Sequence, residues 1–530
     1  MKFEKIGVMI DCSRNAVPKT ETLKLFIDKL AEMGYNRLEL YTEDTYEIKG
    51  RPYFGYLRGR YSGAELKEID AYAAGKGVEL TPCIQVLAHL NQIFRWAAFG
   101  QVNDCGDILL ADEPETYKLI EDMFAALAGN FTSREVNIGC DEAHMAGLGR
   151  FLDRFGYQNR FEIMSRHLNR VLEIAGKYGF KCSIWSDMYF RLATGGGYNA
   201  SKPIPSEILK RVPKNLSLIY YNYGINCKEM FDAHKCFDND IEFAGCAWKW
   251  LGFAPDNIYS VKCADSVVPA AREYGIKKIM VTSWGDNGAE ASLFSVLPAL
   301  YYFACLCGGK SVAPAGLEKG FRRLTGTGFK DFLDIELVNR FQWYAHKSGK
   351  ACNAEKYFLY NDYFCGIFDG LLEGGEAAHY RAVSEKLKAG KYGKFSYIFK
   401  TVRALCDVLE LKADMGARTR ALYRGGDKAA LKKLAEEYAV LARRIAAFHA
   451  LFREQWMLEN KPFGFEVQDM RLGGLMRRTL SCKKALLDYC AGKTLNVPEL
   501  DEDVLPFDQT DGEGLCLFGG HLQIISVNNT

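Results

Sequence analysis

Through the first 300 residues, short apolar runs alternate with longer stretches in which apolar positions recur every three or four residues. Eight short runs stand at 6–12, 37–41, 79–86, 136–140, 182–185, 216–221, 243–248 and 278–284, and their length and apolar content predict buried strands. The stretches between them read as helices. Leu23, Phe26, Ile27 and Leu30 stand at i, i+3, i+4 and i+7 and stop at Gly34, which suits a helix ended by a left-handed glycine. Ser62-x-x-Glu65 forms a capping box ahead of Leu66, Ile69 and Tyr72. Strands alternating with helices imply parallel pairing, and eight repeats imply closure into a barrel. No GxGxxG follows the first strand, and Gly195-Gly196-Gly197 falls in a loop after the fifth, with no helix start close behind it. Both facts weigh against a doubly wound nucleotide fold.

From about residue 310 the pattern changes. Helical periodicity runs through 333–347, 395–415, 428–452 and 473–489, without comparable strands. The expected fold is therefore α/β, a (β/α)8 TIM barrel over 1–309 followed by an all-α domain over 310–530. The tail, acidic at Asp501-Glu502-Asp503, is expected to be a loop returning as a short strand within 515–527.

Composition narrows the setting. Of 530 residues 48% are apolar and 25% charged, as in a soluble globular protein. A net charge of +2 without basic runs gives no electrostatic basis for a nucleic-acid or anionic-membrane partner, and points to a neutral substrate. The 17 cysteines are odd in number and scattered, with Cys12, Cys83, Cys140, Cys182 and Cys246 inside apolar strands. No CxxC pair occurs, and Cys305 and Cys307 lie on an expected buried helix. Buried thiols in a reducing compartment are expected, not a disulfide or zinc framework, and no metal or other cofactor. The N-terminus shows no long apolar leader and no run is long enough to cross a bilayer, so the expected location is cytoplasmic.

Almost every strand ends in polar or aromatic side chains. The ends read Asp11-Cys12-Ser13-Arg14, Tyr41-Thr42-Glu43-Asp44, Gln85-Val86-Leu87-Ala88-His89, Asp141-Glu142-Ala143-His144, Trp185-Ser186-Asp187, Tyr220-Tyr221-Asn222-Tyr223, Trp248-Lys249-Trp250 and Trp284-Gly285-Asp286-Asn287. In a (β/α)8 barrel these ends meet at one face, where the active site forms. Aromatic rings suit the flat faces of a pyranose, while arginine and carboxylates suit its hydroxyls. Taken singly, each residue has a structural explanation: an acidic pair in a solvated loop, Arg14 in an ion pair, His89 and His144 in a core, lone tryptophans in packing. Convergence from eight segments shifts the weight to a site.

Asp141-Glu142 is the expected chemical centre. Glycoside cleavage needs an acid to protonate the leaving oxygen and a second group to stabilise or attack the cationic ring carbon. Adjacent carboxylates on one strand cannot readily straddle a bond as acid and opposite-face nucleophile. They can serve as acid and as orienter of a nucleophile carried by the substrate. Close like charges are also expected to raise the pKa of one of the two.

At these residues the chain resembles glycoside hydrolase family 20, the β-N-acetylhexosaminidases, over roughly residues 6 to 300. Gly7-Val8-Met9-Ile10-Asp11-Cys12-Ser13-Arg14 is similar to the family's first-strand motif, and Ile138-Gly139-Cys140-Asp141-Glu142 to its catalytic motif. Ile184-Trp185-Ser186-Asp187 and Ser283-Trp284-Gly285-Asp286 add to the match. The extension Asp141-Glu142-Ala143-His144-x-x-Gly147-Leu148-Gly149 resembles a bacterial branch with a helical domain after the barrel. The resemblance implies an exo-acting enzyme that removes terminal β-linked GlcNAc or GalNAc with retention, through the sugar's own 2-acetamido group. It makes Glu142 the general acid then base, and Asp141 the orienter of the acetamido group. Arg14, Asp44 and Asp286 would bind the sugar, His89 would support the catalytic region, and Trp185, Trp248 and Trp284 would wall the acetamido pocket. Tyr221 and Tyr223 are both candidates to donate to the acetamido oxygen, sharing a face by strand alternation; Tyr221 is taken. The third-strand segment lacks the Pro and Gly that usually precede the family's histidine. The sixth and seventh ends also differ from the commonest pattern, leaving the choice between GlcNAc and GalNAc open.

Two other classes compete. A metal-dependent sugar isomerase or epimerase could use His89, Glu142 and Asp187 as hard ligands. A non-catalytic carbohydrate-binding barrel is the other, against which the intact Asp141-Glu142 pair argues. The expected partner is a small carbohydrate or glycan, with the segments 45–62 and 90–110 framing the mouth, and the helical domain is a candidate surface for a homodimer.

Overall fold

The computed structural model describes residues 2–339, 351–505 and 521–528. Its eight strands are β1 (Lys5–Asp11), β2 (Arg37–Tyr41), β3 (Glu79–Cys83), β4 (Glu135–Asn137), β5 (Lys181–Trp185), β6 (Ser217–Tyr221), β7 (Ile241–Cys246) and β8 (Lys278–Ser283). Each pairs in parallel with the next, and β8 closes on β1 from Lys5↔Lys278 to Ile10↔Ser283. The barrel expected from the alternation is therefore present. Gly34 ends the helix Thr20–Met33 in the left-handed conformation, its N–H bonded to the carbonyls of Ala31 and Leu30. Ser62 and Glu65 cap the helix Gly63–Gly75 reciprocally.

Two strands are shorter than the apolar runs suggested. β4 stops at Asn137 because Gly139 (φ 71°) and Cys140 (φ 65°) leave the extended region, and β3 stops at Cys83, six residues before His89 at φ 58°. Single bonds carry the pairing further: Ile84 N–H donates to Asn137 O (2.9 Å) and Ile138 N–H to Ser183 O (2.9 Å).

The barrel interior is not purely apolar. Alternation on β2 turns Arg37, Glu39 and Tyr41 to one side. Arg37 donates to Glu39 (2.8 Å) and to Glu242 of β7 (2.9 Å), and Asn137 donates to Glu39 (3.1 Å), all deeply buried. Above them, the Tyr41 hydroxyl donates to Glu43 (3.1 Å). A polar ladder thus climbs from the floor of the barrel to the ends of its strands.

The chain forms two compact units. The first comprises Met1–Ala247, Ser260–Ser283 and Leu300–Val312; the second comprises Trp248–Tyr259, Trp284–Ala299 and Ala313–Thr530. The division differs from a single cut at residue 310, because the loops after β7 and β8 cluster with the helices. Polar clamps account for this. Glu459 accepts from Leu293 N–H (3.0 Å) and from Ser292, Glu355 accepts from Phe253 N–H (2.9 Å), and Asp256 accepts from Cys352 N–H (2.9 Å). The second unit is helical, with Lys428–Glu459 packed between Ser396–Lys412 and Phe465–Cys490. The helix expected over 333–347 is a short α-helix, Phe329–Leu333, running into a tighter 3-10 turn, Asp334–Val338; residues 340–350 lie outside the described residues.

The tail corrects an expectation. His521–Ile525 is a helix, not a strand: Ile524 is buried, Leu522 is exposed, and the His521 ring meets Tyr360 edge-on at 4.6 Å. So short an apolar run carries no decisive period. Residues 515–520 lie outside the described residues. Sixteen cysteines among the described residues are free, Cys305 and Cys307 buried with most of the others. No described helix is long and apolar enough to cross a membrane.

Candidate active site

The first unit gathers Arg14, Glu43, Gln85, His89, Asp141, Glu142, Asp187 and Arg191 around the ends of β1 to β5. Asp141 is the most constrained. Gln85 Nε2 donates to Asp141 Oδ1 (2.7 Å) and to the Tyr41 hydroxyl (3.0 Å), while Gln85 Oε1 accepts from Cys140 N–H (3.0 Å). His89 Nε2 lies 3.2 Å from Asp141 Oδ2 and 3.9 Å from Glu142 Oε2. The neighbouring carboxylates differ sharply in access: the Asp141 side chain is 13% exposed and that of Glu142 is 49% exposed.

Backbone strain aims these groups. Glu43 (φ 46°), His89 (φ 58°), Cys140 (φ 65°) and Glu142 (φ 50°) all sit in the left-handed region, costly for residues with a Cβ. Gly139, at φ 71°, tolerates no side chain, since a Cβ would stand 2.1 Å from Gln85 Oε1.

Electrostatics separate the carboxyls, though not as adjacency suggested. Burial pushes the Asp141 pKa up, but the charge of His89 and hydrogen bonds from His89 and Gln85 outweigh it and hold the group below the usual range. Burial opposes a charge on His89, yet Asp141, helped by Glu43 and opposed by Arg14, raises that imidazole to about 9. Asp187 is lifted to about 7 by burial and then by the Asp141 charge, and burial raises Glu43 and Asp44 as well. Asp141 is thus not the raised member of the Asp141-Glu142 pair, because His89 supplies the compensating charge.

Asp187 and Arg191 were not among the selected substrate residues. Asp187 Oδ2 accepts from Glu142 N–H (3.1 Å) and from Arg191 Nε (2.8 Å), and Arg191 Nη2 lies 3.6 Å from Glu142 Oε1. The Arg191 guanidinium also neighbours the Tyr221 hydroxyl. The signal was in the sequence: Asp187 and Arg191 are four apart at the start of a helix, spacing that pairs them. His89, Glu142 and Asp187 do not form a metal-ligating group among the described residues. No group of three or more His, Cys, Asp or Glu suited to a metal occurs among the described residues.

On the other side, Arg14 pairs with Glu43. Asp44 is buried and bound to Arg58 (3.2 Å), which also donates to Ser13 O. Trp185 meets Tyr221 edge-on at 5.7 Å, and Tyr221 stacks with Tyr223 at 5.5 Å, so the two tyrosines share a side.

Trp248, Trp284 and Asp286 belong to the second unit. Trp248 is buried, stacked on Trp250 at 3.9 Å and edge-on to Tyr259 at 5.8 Å. Trp284 and Asp286 are half-buried in a loop whose next carbonyl, Asn287 O, accepts from Lys356 (3.1 Å) and Arg471 (2.7 Å).

Residues 3–201 match the glycosyl hydrolase family 20 catalytic domain, and residues 330–517 match the glycoside hydrolase 20C C-terminal domain. A β-hexosaminidase of Akkermansia muciniphila is 28% identical over 170 residues, covering 26% of this chain and 34% of that protein. Hexosaminidase D of Homo sapiens is 25% identical over 186 residues, covering 33% of this chain and 38% of that protein. The chain spans about a third of the length of these two relatives. A Vibrio harveyi family 20 exo-β-N-acetylglucosaminidase, solved with N-acetylglucosamine, is 16% identical with a TM-score of 0.48, covering 61% of this chain and 57% of that one. Residues 3–201 and 330–517 thus each match a domain of the same family, and the chain belongs to glycoside hydrolase family 20.

Proposed function

We propose that the protein is an exo-acting β-N-acetylhexosaminidase that hydrolyses terminal β-linked GlcNAc or GalNAc with retention, using the substrate's 2-acetamido group as nucleophile. The observation that carries this is the unequal pair: a buried Asp141 held ionised by His89 and Gln85, beside a half-exposed Glu142.

In the first step the acetamido oxygen attacks C1 as the bond from C1 to the leaving oxygen breaks, and Glu142 gives its proton to that oxygen. Asp141 accepts the acetamido N–H and stabilises the positive charge of the oxazolinium ring. In the second step water attacks C1 from the face the leaving group vacated, Glu142 takes the water proton, and the ring reopens. Two inversions give net retention. A fixed negative charge suits Asp141, whose task is electrostatic. Access to the departing alcohol and to the incoming water suits Glu142.

Around this centre, Arg14 with Glu43 holds sugar hydroxyls, and Asp44 acts through Arg58. Tyr221 donates to the acetamido oxygen against the wall of Trp185. His89 keeps Asp141 charged. For Trp248, Trp284 and Asp286 a sugar-binding role rests on their motifs alone, each following the end of β7 or β8.

The test compares aryl β-glycosides of GlcNAc, GalNAc and glucose. The 2-acetamido sugars should be cleaved and the 2-hydroxy sugar should not, with Glu142→Gln lowering kcat by ~10²- to 10⁴-fold, the scale of general acid catalysis. Cleavage of neither acetamido sugar by folded protein would overturn the assignment. Equal cleavage of glucoside and acetamido sugar would overturn the substrate-assisted mechanism.

A further inference from the structure

Beside the candidate catalytic residues runs a cleft of about 650 Å³ whose walls come from the segment after β4, the start of the helix Arg160–Lys177 and the helix Asp187–Thr194. Its size falls in the range of ligand sites. We propose that this cleft is the leaving-group site, and that it receives a neutral, hydroxylated glycan on the reducing side of the scissile bond. The inference rests on the hexosaminidase reading and deepens it.

The cleft and the catalytic pair share Arg191. That side chain lines the cleft while its Nη2 lies 3.6 Å from Glu142 Oε1. His144, also on the wall, donates its backbone N–H to Glu142 O (2.6 Å). A general acid must touch the leaving oxygen, so the departing sugar lies on the Glu142 side. That side is also the open one, as the exposures of Glu142 and Asp141, 49% and 13%, show.

The chemistry of the walls fits sugar. Arg211 and Glu162 pair at 2.9 Å with both side chains about half exposed, which leaves donors and acceptors for hydroxyl groups. Arg160 is tied to the carbonyls of His144 and Ala146 and braces the segment that follows Glu142. Tyr157 presents a ring that is 75% exposed, a flat surface for a pyranose face. The opposed charges of Arg211 and Glu162 favour a neutral occupant over a charged one.

The glycine run in the sequence also finds its place here. Gly195 (φ 84°) and Gly196 (φ 128°) border the cleft, and a Cβ on either would meet nothing within 4 Å. Bare backbone therefore faces open space, and the conformations at both positions favour glycine.

The experiment compares two substrates in steady state: an aryl β-N-acetylhexosaminide, whose leaving group is a single ring, and an oligosaccharide with two neutral sugars after the terminal N-acetylhexosamine. Tyr157→Ala and Arg211→Ala remove a candidate stacking surface and a hydroxyl contact without touching Asp141 or Glu142. Each should leave kcat/KM on the aryl substrate within about twofold and lower it on the oligosaccharide roughly tenfold, mainly through KM, the scale of one lost sugar contact. Unchanged oligosaccharide kinetics in both variants overturns the inference. So does a parallel fall on both substrates, or a wild-type protein that cleaves only the aryl compound. Wild-type protein that cleaves neither overturns the hexosaminidase reading, and this inference with it.

Discussion

Asp141→Asn provides the sharpest measurement, because the same substitution that should disable catalysis also removes the main support of a charged histidine. His89 rises from 6.5 to about 9 against the pull of burial, with Asp141 the strongest favourable influence. That lift corresponds to about 3 kcal/mol at 1.36 kcal/mol per decade. With asparagine in place, burial and Arg14 still disfavour the cation while the carboxylates of Glu43, Glu142 and Asp107 remain near it, so His89 should titrate clearly lower than about 9. The stabilisation it contributes is whole below pH 6.5, the unfolded value, and fades as pH rises through about 9. Asp141, lowered from 3.8, describes the same pair from the acidic side: its contribution is present above pH 3.8 and fades as pH falls below that value. The two must not be added. The assay is an NMR titration of the His89 ring in both proteins, with urea unfolding at pH 6 and pH 9. The wild type should lose stability between those pH values and the variant should lose less. A His89 that still titrates near 9 in the variant would refute the charge relationship between these residues.

Gly139→Ala should cost well over ~1 kcal/mol and abolish most activity, since it combines an unfavourable φ with displacement of Gln85 from Asp141; normal activity and thermal midpoint would contradict it. Lys356→Met should lower unfolding stability by ~3 kcal/mol in urea, because Glu290, fully buried and 2.9 Å from Lys356, would retain Arg471 as its one cationic partner among the described residues. Ser62→Ala removes half of a capping box far along the chain from Asp141, and should cost ~1 kcal/mol while leaving kcat/KM unchanged.

Much of the barrel was legible because its signal is periodic and repeated. Eight apolar runs, a glycine stop at residue 34 and the Ser62–Glu65 box are local features, and local features survive folding. What sequence could not show was which polar residue of each cluster meets which partner. Arg14 and Glu43 are 29 residues apart, and nothing along the chain marks them as partners; the fold brings them together, with Glu43 in a left-handed turn at φ 46°. Arg37 and Glu39 lie within a run read as apolar and Glu242 just ahead of another, since charges that neutralise one another inside a barrel leave no periodic trace. The tail failed for the opposite reason. Five residues, the buried Ile524 among them, are too few to carry a period.

The left-handed residues at the strand ends bear on how the protein should fail when heated. Glu43, His89, Cys140 and Glu142 each hold a conformation that costs about 1–3 kcal/mol, whereas the ladder-bonded strands beneath them carry no comparable load. Local opening draws on the least stable regions first. Turnover should therefore vanish at a temperature where circular dichroism still reports an intact barrel, and the lost activity should return on cooling.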